Sequence, residues 1–320
     1  MASTSSTSMV SIFTPVLNEE ENVLQVYEAV KKVMATIKNE VSYEHVFSDN
    51  ASTDKTLSIL RDLADRDSRV KIIALAKNFG PTKSTLNGLL RCTGDAIIQI
   101  DADLQDPPLM IVEFIQKWIS GYQVVYGIRT DRQENLLLKS FRKLFYRIAN
   151  VLSNEELIPD VGDFRLIDKR ILCELGKVKD YNPYLRGIIA NLGFRQVGIP
   201  YVRNPRQRGQ SKLTLLRLID FGLNGIVSHS TILLRLSTIT GVLICLGNAI
   251  YISIVVLATL FGGSPPSGIP SLIVIILFIS GIQLITLGIL GEYIGKIFLQ
   301  SIQRPLVVEK ELIGFNNEPS

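Results

Sequence analysis

The sequence is poor in the residues that bind soft metals or form disulfides. It has three cysteines and two histidines in 320 residues. Cys92, Cys173 and Cys245 lie far apart and show none of the paired spacings of zinc sites or disulfide frameworks. This argues against a disulfide-stabilised secreted domain and indicates a reducing compartment.

The sequence also lacks the glycine-rich motifs that bind nucleotide phosphates. No Gly-x-Gly-x-x-Gly follows the first apolar run, and no Gly-x-x-x-x-Gly-Lys-Ser/Thr loop is present. These absences argue against dinucleotide oxidoreductases and P-loop nucleotide hydrolases. The net charge of +4 is modest, and we expect no nucleic-acid partner.

Charged residues and histidine are missing from residues 236–291. A helix needs about 20 apolar residues to cross a bilayer. We therefore predict two membrane spans within residues 231–298, separated by the Gly/Pro-rich residues 262–268. The alternative is a helical hairpin buried in a soluble core. Glycines along the stretch allow close helix contacts, so a homo-oligomer is expected.

The basic residues near the predicted spans all lie at the ends of the spans that are away from the connecting loop. Arg217 and Arg235 precede the first span, Lys296 and Arg304 follow the second, and the loop between them is uncharged. The positive-inside rule then places both termini, including a tail at residues 299–320, in the cytoplasm.

Two further segments and the N-terminus complete the predicted domain plan. Residues 133–152 and 213–230 are expected to form basic amphipathic helices, which often lie on anionic membranes. For residues 133–152 the alternative is a helix packed on its own domain with a solvated basic face. Residues 1–8 are rich in Ser and Thr without an apolar core, so we expect a disordered N-terminus rather than a signal sequence.

Short β-branched runs alternate with helical patterns over the first part of the chain. This alternation predicts an α/β domain at residues 9–212, with a mostly parallel sheet covered by helices on both faces. The predicted strands are residues 10–14, 43–47, 70–75, 96–100, 123–126 and 195–201.

Polar residues follow several of these strands at the point where each strand ends. Carboxyl ends of parallel strands meet at one edge of a sheet, which is where ligands bind. The polar groups expected at this edge are Asn18 and Glu19, Asp49, Lys77 and Asn78, and Asp101 and Asp103.

An acidic stretch at residues 101–108 carries the most specific chemistry. Asp101 and Asp103, two residues apart after a buried strand, can converge on one cation, and Gln105 adds a neutral oxygen. Oxygen ligands of this kind suit Mg²⁺ or Mn²⁺. The alternative is an acidic turn that caps the helix introduced by Pro107 and Pro108.

A basic loop precedes the membrane segment. Arg206 and Lys212 lie across a Gly-containing turn, where a planar guanidinium and a mobile ammonium can bind phosphate oxygens. The alternative partners for these cations are anionic lipid headgroups.

Together these motifs resemble family 2 glycosyltransferases of the GT-A fold. The resemblance covers about residues 10–215 and is closest to polyprenyl-phosphate glycosyltransferases, which include dolichol-phosphate mannose synthases and bactoprenol glucosyltransferases. The chain departs from the family pattern at Asn50, often Asp, and at Leu17, often Tyr. The motifs are residues 15–22, 49–54, 101–105, 163–166 and 206–212.

The resemblance implies inverting transfer of a hexose, glucose from UDP-glucose first of all, to undecaprenyl or dolichyl phosphate. The expected place is the cytoplasmic face of a bacterial inner membrane. Alternatives are a mannose or aminosugar donor, a processive synthase, or an inactive membrane scaffold. The Gln-x-x-Arg-Trp motif of processive synthases is absent, since the only Trp, Trp118, follows Lys117.

The resemblance also implies roles for individual residues. Asp101 is expected near the ribose or sugar as well as at the metal. Asp163 is expected either to act as a base or to position substrate, and the alternative is a turn in which it pairs with Arg165. Asp49 would bind the base, or else cap the next helix. The remaining residues expected to contact the nucleotide sugar are Pro15, Leu17, Glu19, Lys77, Ala102, Arg129, Arg206 and Lys212.

Overall fold

The computed structural model describes residues 8–38, 40–130, 161–181, 183–204, 232–261, 268–302 and 305–315. The predicted helix at 133–152, the juxtamembrane helix at 213–230, and the loop with Arg206 and Lys212 lie outside the described residues, as do residues 1–7.

Within the described residues, eight strands form one sheet in the order β7-β5-β6-β4-β1-β2-β3-β8. Strand β1 pairs in parallel with β2 and β4, β2 with β3, and β5 with β7, whereas β6 runs antiparallel to both β4 and β5. The strands are β1 (Ser8–Val16), β2 (Val41–Asp49), β3 (Val70–Leu75), β4 (Ala96–Gln99), β5 (Val124–Arg129), β6 (Val161–Asp168), β7 (Gln196–Tyr201) and β8 (Glu309–Ile313).

In the described parts of the chain, six short helices accompany the sheet, and two long helices belong to a second compact unit. Helix α3 begins with a proline, whose fixed φ suits a first helical turn. The helices are α1 (Val23–Thr36), α2 (Thr56–Arg66), α3 (Pro81–Arg91), α4 (Met110–Ile119), α5 (Lys169–Leu175), α6 (Leu185–Asn191), α7 (Ile232–Leu260) and α8 (Ile269–Ser301).

The sheet separates two hydrophobic cores, because successive residues of a strand point to opposite faces. Ile12 and Ile98 pack into the core that α1, α2 and α4 cover. Their neighbours Phe13 and Ile97 pack into the core that α3, α5 and α6 cover. Helices therefore cover both faces of the sheet, as the sequence predicts.

Two parts of the sheet differ from the sequence prediction. Asp163 and Arg165 lie in strand β6 and not in a turn, because this segment pairs with β4 over residues 165–168 and with β5 on its other side. Residues 309–313, expected in a C-terminal tail, instead form β8, which pairs antiparallel with β3 at the edge of the sheet. Both segments are recruited by strands that are distant in sequence.

The long helices α7 and α8 correspond to the two predicted membrane spans. Among the described residues, one stretch, Phe278–Ser301, is long and apolar enough to cross a membrane. This assignment rests on length and composition. Leu236–Tyr251 is a shorter apolar stretch. Large apolar side chains along both helices are exposed, among them Leu260 at 76% and Leu284 at 69%.

A buried histidine lies in the middle of β2. His45 is 1% exposed, and its ring stacks on Phe47 with centroids 4.0 Å apart. Its Nε2 shares a hydrogen bond with Thr14 Oγ1 at 3.0 Å, while Nδ1 has no partner among the described residues. Burial lowers the pKa of His45 to about 3, because the charged imidazolium loses its hydration.

We expect His45 to make the unit that contains the sheet sensitive to mild acid. Below pH 6.5, the ordinary pKa of histidine, the unfolded chain binds a proton that the folded chain does not. Stability then falls as the pH drops, by about 1.4 kcal/mol per pH unit, until the folded pKa is reached. Denaturant unfolding from pH 7 to pH 5, followed by the fluorescence of Trp118, measures this slope.

The matched variant is H45Q, which keeps a polar group toward Thr14 but does not titrate. Its stability should depend less on pH over the same range than that of the wild type. Equal slopes for the two proteins would show that His45 does not control acid sensitivity.

Candidate active site

The carboxyl ends of β1, β2 and β4 lie side by side and form one rim of the sheet. The register pairs Val16 with Asp49 and Phe13 with Gln99. Pro15, Leu17 and Asp101 therefore lie at the same edge as Asp49. The structure thus brings together the residues that were expected to follow the strands.

Three non-glycine residues in the described parts of the chain have a positive φ, and all three lie on this rim. They are Asn18 at 55°, Ala51 at 62° and Leu104 at 52°, which follow β1, β2 and β4. Such backbone conformations cost energy and persist only where the surroundings hold them. The shape of these three loops is therefore fixed by contacts with the rest of the rim.

The loops after β1 and β2 are tied together by side-chain hydrogen bonds to backbone N–H groups. Asn18 accepts at Oδ1 from the backbone N–H of Thr53 at 2.8 Å. The backbone N–H of Glu19 donates to Thr56 Oγ1 at 2.9 Å. Helix α1 begins later, at Val23, with Asn22 as its N-cap. These contacts fix the shape of the two loops, here called the pocket wall, beside the residue predicted to bind a base.

Asp49 is 1% exposed and lies at the base of this wall. Its carboxylate accepts from the backbone N–H of Ser52, at 3.2 and 3.3 Å, and therefore closes a turn. The alternative that Asp49 caps α2 is not observed, since that helix begins at Thr56 after Lys55. Burial raises the pKa of Asp49, partly offset by the bonds from Ser52.

The acidic loop after β4 holds Asp101 and Asp103 on the rim. Ala102 between them is buried, and Asp103 accepts a hydrogen bond from the backbone N–H of Gln105 at 3.2 Å. The alternative that this stretch caps α4 is not observed, because the helix begins at Met110 with Leu109 as its N-cap.

Strand β6 adds a further carboxylate to this loop. Arg165 of β6 pairs with Gln99 in an antiparallel register, and continuing that register by two residues brings Asp163 alongside Asp101. The pKa of Asp101 rises to about 7, chiefly through burial. The next causes are the negative charges of Asp163, Asp106 and Asp103.

Asp163 is held by an arginine that the sequence analysis did not identify. Arg186 of α6 donates from Nε and Nη2 to the two carboxylate oxygens, at 2.8 and 2.7 Å. The alternative partner Arg165 lies at 3.5 Å. Burial alone would raise the pKa of Asp163, but the hydrogen bonds and charge of Arg186 hold it below its ordinary value. Asp163 is therefore ionised at neutral pH.

Tyr201, which no sequence pattern indicated, anchors the other end of the acidic loop. Asp106 is 1% exposed and accepts a hydrogen bond from the hydroxyl of Tyr201. Arg129 donates from Nε to the same hydroxyl at 3.2 Å. Burial, together with the bond to Asp106, raises the pKa of Tyr201 to about 12. Arg129 is thereby placed beside the acidic loop, 3.9 Å from Asp106.

The remaining predicted residues vary in their position on the rim. Glu19 is partly buried, Leu17 is 39% exposed and Lys77 is exposed after β3. No signal in the sequence pointed to Arg186 or Tyr201, since each acts through a partner 23 or more positions away.

The chemistry of this rim fits a divalent cation. The donors are carboxylate and amide oxygens, and the second oxygen of the buried Asp106, Oδ2, has no hydrogen-bond partner among the described residues. In the same residues no three His, Cys, Asp or Glu side chains are grouped to hold a metal by themselves. A cation bound by Asp101 and Asp103 would therefore share its shell with substrate phosphates and water.

The sequence is similar to those of known glycosyltransferases. The sequence profile described as "Glycosyl transferase family 2" matches residues 11–176. The uncharacterized glycosyltransferase YkcC of Bacillus subtilis (strain 168) is 39% identical, over 96% of this chain and 95% of its own. The bactoprenol glucosyl transferase of Shigella phage SfV is 36% identical, over 94% of this chain and 98% of its own.

Among solved structures, glucosyl-3-phosphoglycerate synthase from Mycobacterium tuberculosis has a TM-score of 0.44 and 20% identity, covering 69% of this chain and 78% of that chain. This likeness is too distant to bear on the chemistry. The profile match over half of the chain, with relatives aligned across nearly its full length, shows that the chain belongs to glycosyltransferase family 2 and is a glycosyltransferase.

Proposed function

We propose that the enzyme transfers glucose from UDP-glucose to a polyprenyl phosphate at the cytoplasmic face of a membrane, with inversion at the anomeric carbon. One observation carries this proposal. The carboxylates of Asp101, Asp103 and Asp163 meet at one rim, in a chain that is 36% identical to a protein named bactoprenol glucosyl transferase.

The donor nucleotide would lie against the pocket wall, which the loops after β1 and β2 form. Asp49 would accept hydrogen bonds from the base, with Pro15, Leu17 and Glu19 lining the same pocket. Lys77, Ala102 and Arg129 would lie along the diphosphate and sugar. The hydrogen bonds that fix the loop shapes support this assignment, because a preformed pocket loses little entropy on binding.

Asp101, Asp103 and Gln105 would hold Mg²⁺ or Mn²⁺. When bound, the cation neutralises the negative charge that develops on the departing diphosphate. The excess of carboxylates around Asp101 supports the assignment, since a bound cation relieves their repulsion.

In the reaction, a phosphate oxygen of the acceptor attacks the anomeric carbon as the bond to the diphosphate breaks and UDP leaves. A phosphate monoester has a second pKa near 6, so the acceptor is already a dianionic nucleophile at neutral pH. A single displacement converts the α-linked donor to a β-linked product. The transfer therefore needs no strong base.

Asp163 fits a positioning role better than a basic one. Its pKa is held low by Arg186, which makes the carboxylate a weak base. An ionised carboxylate that accepts two hydrogen bonds from one arginine is instead well placed to bind a sugar hydroxyl. It could also keep Arg186 oriented toward the acceptor phosphate.

The two long helices would bring the site to the lipid. Their exposed apolar side chains are unfavourable in water and favourable in a bilayer. We propose that both helices span the membrane, that Arg206 and Lys212 bind phosphate beside it, and that the enzyme is a homo-oligomer.

The donor can be tested with a panel of radiolabelled sugar nucleotides, offered to membranes that contain undecaprenyl phosphate and Mg²⁺ or Mn²⁺. We expect label from UDP-glucose to appear in the extracted lipid, as a β-linked glucosyl phosphate. Replacing Asp103 by Asn should lower the rate by about a hundredfold or more, because a charged ligand of the metal is lost.

A matched control is D95N, which changes an aspartate at the opposite end of β4. Labelling of the lipid only from GDP-mannose or from an aminosugar nucleotide would favour the alternative donors. Normal turnover by D103N would contradict the role of the metal.

A second prediction concerns the pair formed by Asp163 and Arg186. If the two residues act as one unit, D163N and R186A should each lower kcat by about tenfold or more. The double variant should be little worse than either single variant, since the interaction is already lost. Steady-state rates of the wild type, the two single variants and the double variant complete this double-mutant cycle.

The control for this cycle is R170A, which removes a similar ion pair with Asp168 at the far end of β6. Fully additive losses in the double variant would show that Arg186 does not act through Asp163. Near-full activity of D163N would remove both the positioning and the basic role.

A further inference from the structure

Asn50 is a buried amide that joins two loops of the rim. It follows Asp49 at the end of β2 and is 4% exposed. Its Oδ1 accepts from the backbone N–H of Phe79 at 2.9 Å, and its Nδ2 donates to Asn78 Oδ1 at 3.0 Å. Both polar ends of the side chain are therefore used to hold residues 76–80, here called the Lys77 loop.

In its hydrogen bonds with other described residues, Asn78 uses only its oxygen. Asn78 Oδ1 accepts from Asn50 Nδ2 and also from the backbone N–H of Gly80 at 2.9 Å. Position 78 therefore needs an acceptor. Position 50 needs an acceptor and a donor on the same side chain, which an amide provides and a carboxylate does not.

The other side of the Lys77 loop rests on the C-terminal segment. The backbone N–H of Ala76 donates to the carbonyl of Val308 at 2.9 Å, just before β8. The ring of Phe79 packs in the same core cluster as Val307 and Phe315. The loop is thus held at its start by the C-terminal segment and at its tip by Asn50.

The position of this loop connects it with the donor pocket. The register between β2 and β3 pairs Asp49 with Ala74, so the Lys77 loop begins beside the residue proposed to bind the base. Lys77 itself is exposed on the rim. Its reach toward a bound diphosphate depends on where the loop is held.

We infer that Asn50 is a positioning residue for the donor: its amide fixes the Lys77 loop against the pocket and thereby sets the affinity for the nucleotide sugar. The inference rests on the proposed function. It gives a physical meaning to an amide at a position where the resemblance leads one to expect aspartate.

The substitution N50D provides the test. The carboxylate still accepts from Phe79, but it faces Asn78 Oδ1 without a proton to donate. If the Asn78 amide rotates to donate instead, the N–H of Gly80 loses its acceptor. We expect KM for the nucleotide sugar to rise by about tenfold while kcat changes by less than about twofold.

The substitution N78D separates charge from hydrogen bonding. It adds a carboxylate to the same loop but retains an acceptor for both Asn50 and Gly80. We expect its KM to stay within about threefold of the wild type. N78A, which removes that acceptor, should resemble N50D.

Hydrogen exchange in the full-length protein, without substrate, provides a readout that does not depend on activity. The amides of Phe79 and Gly80 should exchange faster in N50D and N78A than in the wild type or N78D. Faster exchange with an unchanged KM, or equal effects of N50D and N78D, would overturn the inference. A wild-type protein that uses no sugar nucleotide would overturn the proposed function as well.

Discussion

The crowding of negative charge at the end of β4 is the constraint on which the site depends. Antiparallel pairing of β6 with β4 brings Asp163 alongside Asp101, with Asp103 and Asp106 nearby. Carboxylates so close together repel one another in a partly buried setting. Arginines around the edge offset part of this repulsion. Arg186 pairs with Asp163, and Arg129 and Arg203 lie within 4 Å of Asp106. The centre itself is left electronegative, which would favour a bound cation.

The loops of the rim face a different constraint, because their backbones must hold strained shapes. Positive φ values at Asn18, Ala51 and Leu104 show that these loops adopt costly conformations. Hydrogen bonds between neighbouring loops compensate for that cost, and Asn50 extends the same network to the loop after β3. The sheet and its two cores thus serve as a rigid base for loops that are held mainly by one another.

Local sequence patterns were enough to predict strands such as β3 and the edge at which the parallel strands end. Strand β3 has the predicted bounds, residues 70–75, because an apolar β-branched run marks them. The shared rim followed from the rule that parallel strands end at one edge. Long-range pairing was not predictable in this way. The recruitment of β6 and β8 into the sheet, the clamp of Arg186 on Asp163 and the bond from Tyr201 to Asp106 all join residues without a common local pattern.

The most direct measurement is the position of Mn²⁺ in crystals of the enzyme soaked with UDP-glucose, located by its anomalous scattering. The account predicts one strong peak against residues 101–105, in contact with the diphosphate, with the base beside Asp49. A cation and donor bound elsewhere on the protein would contradict it.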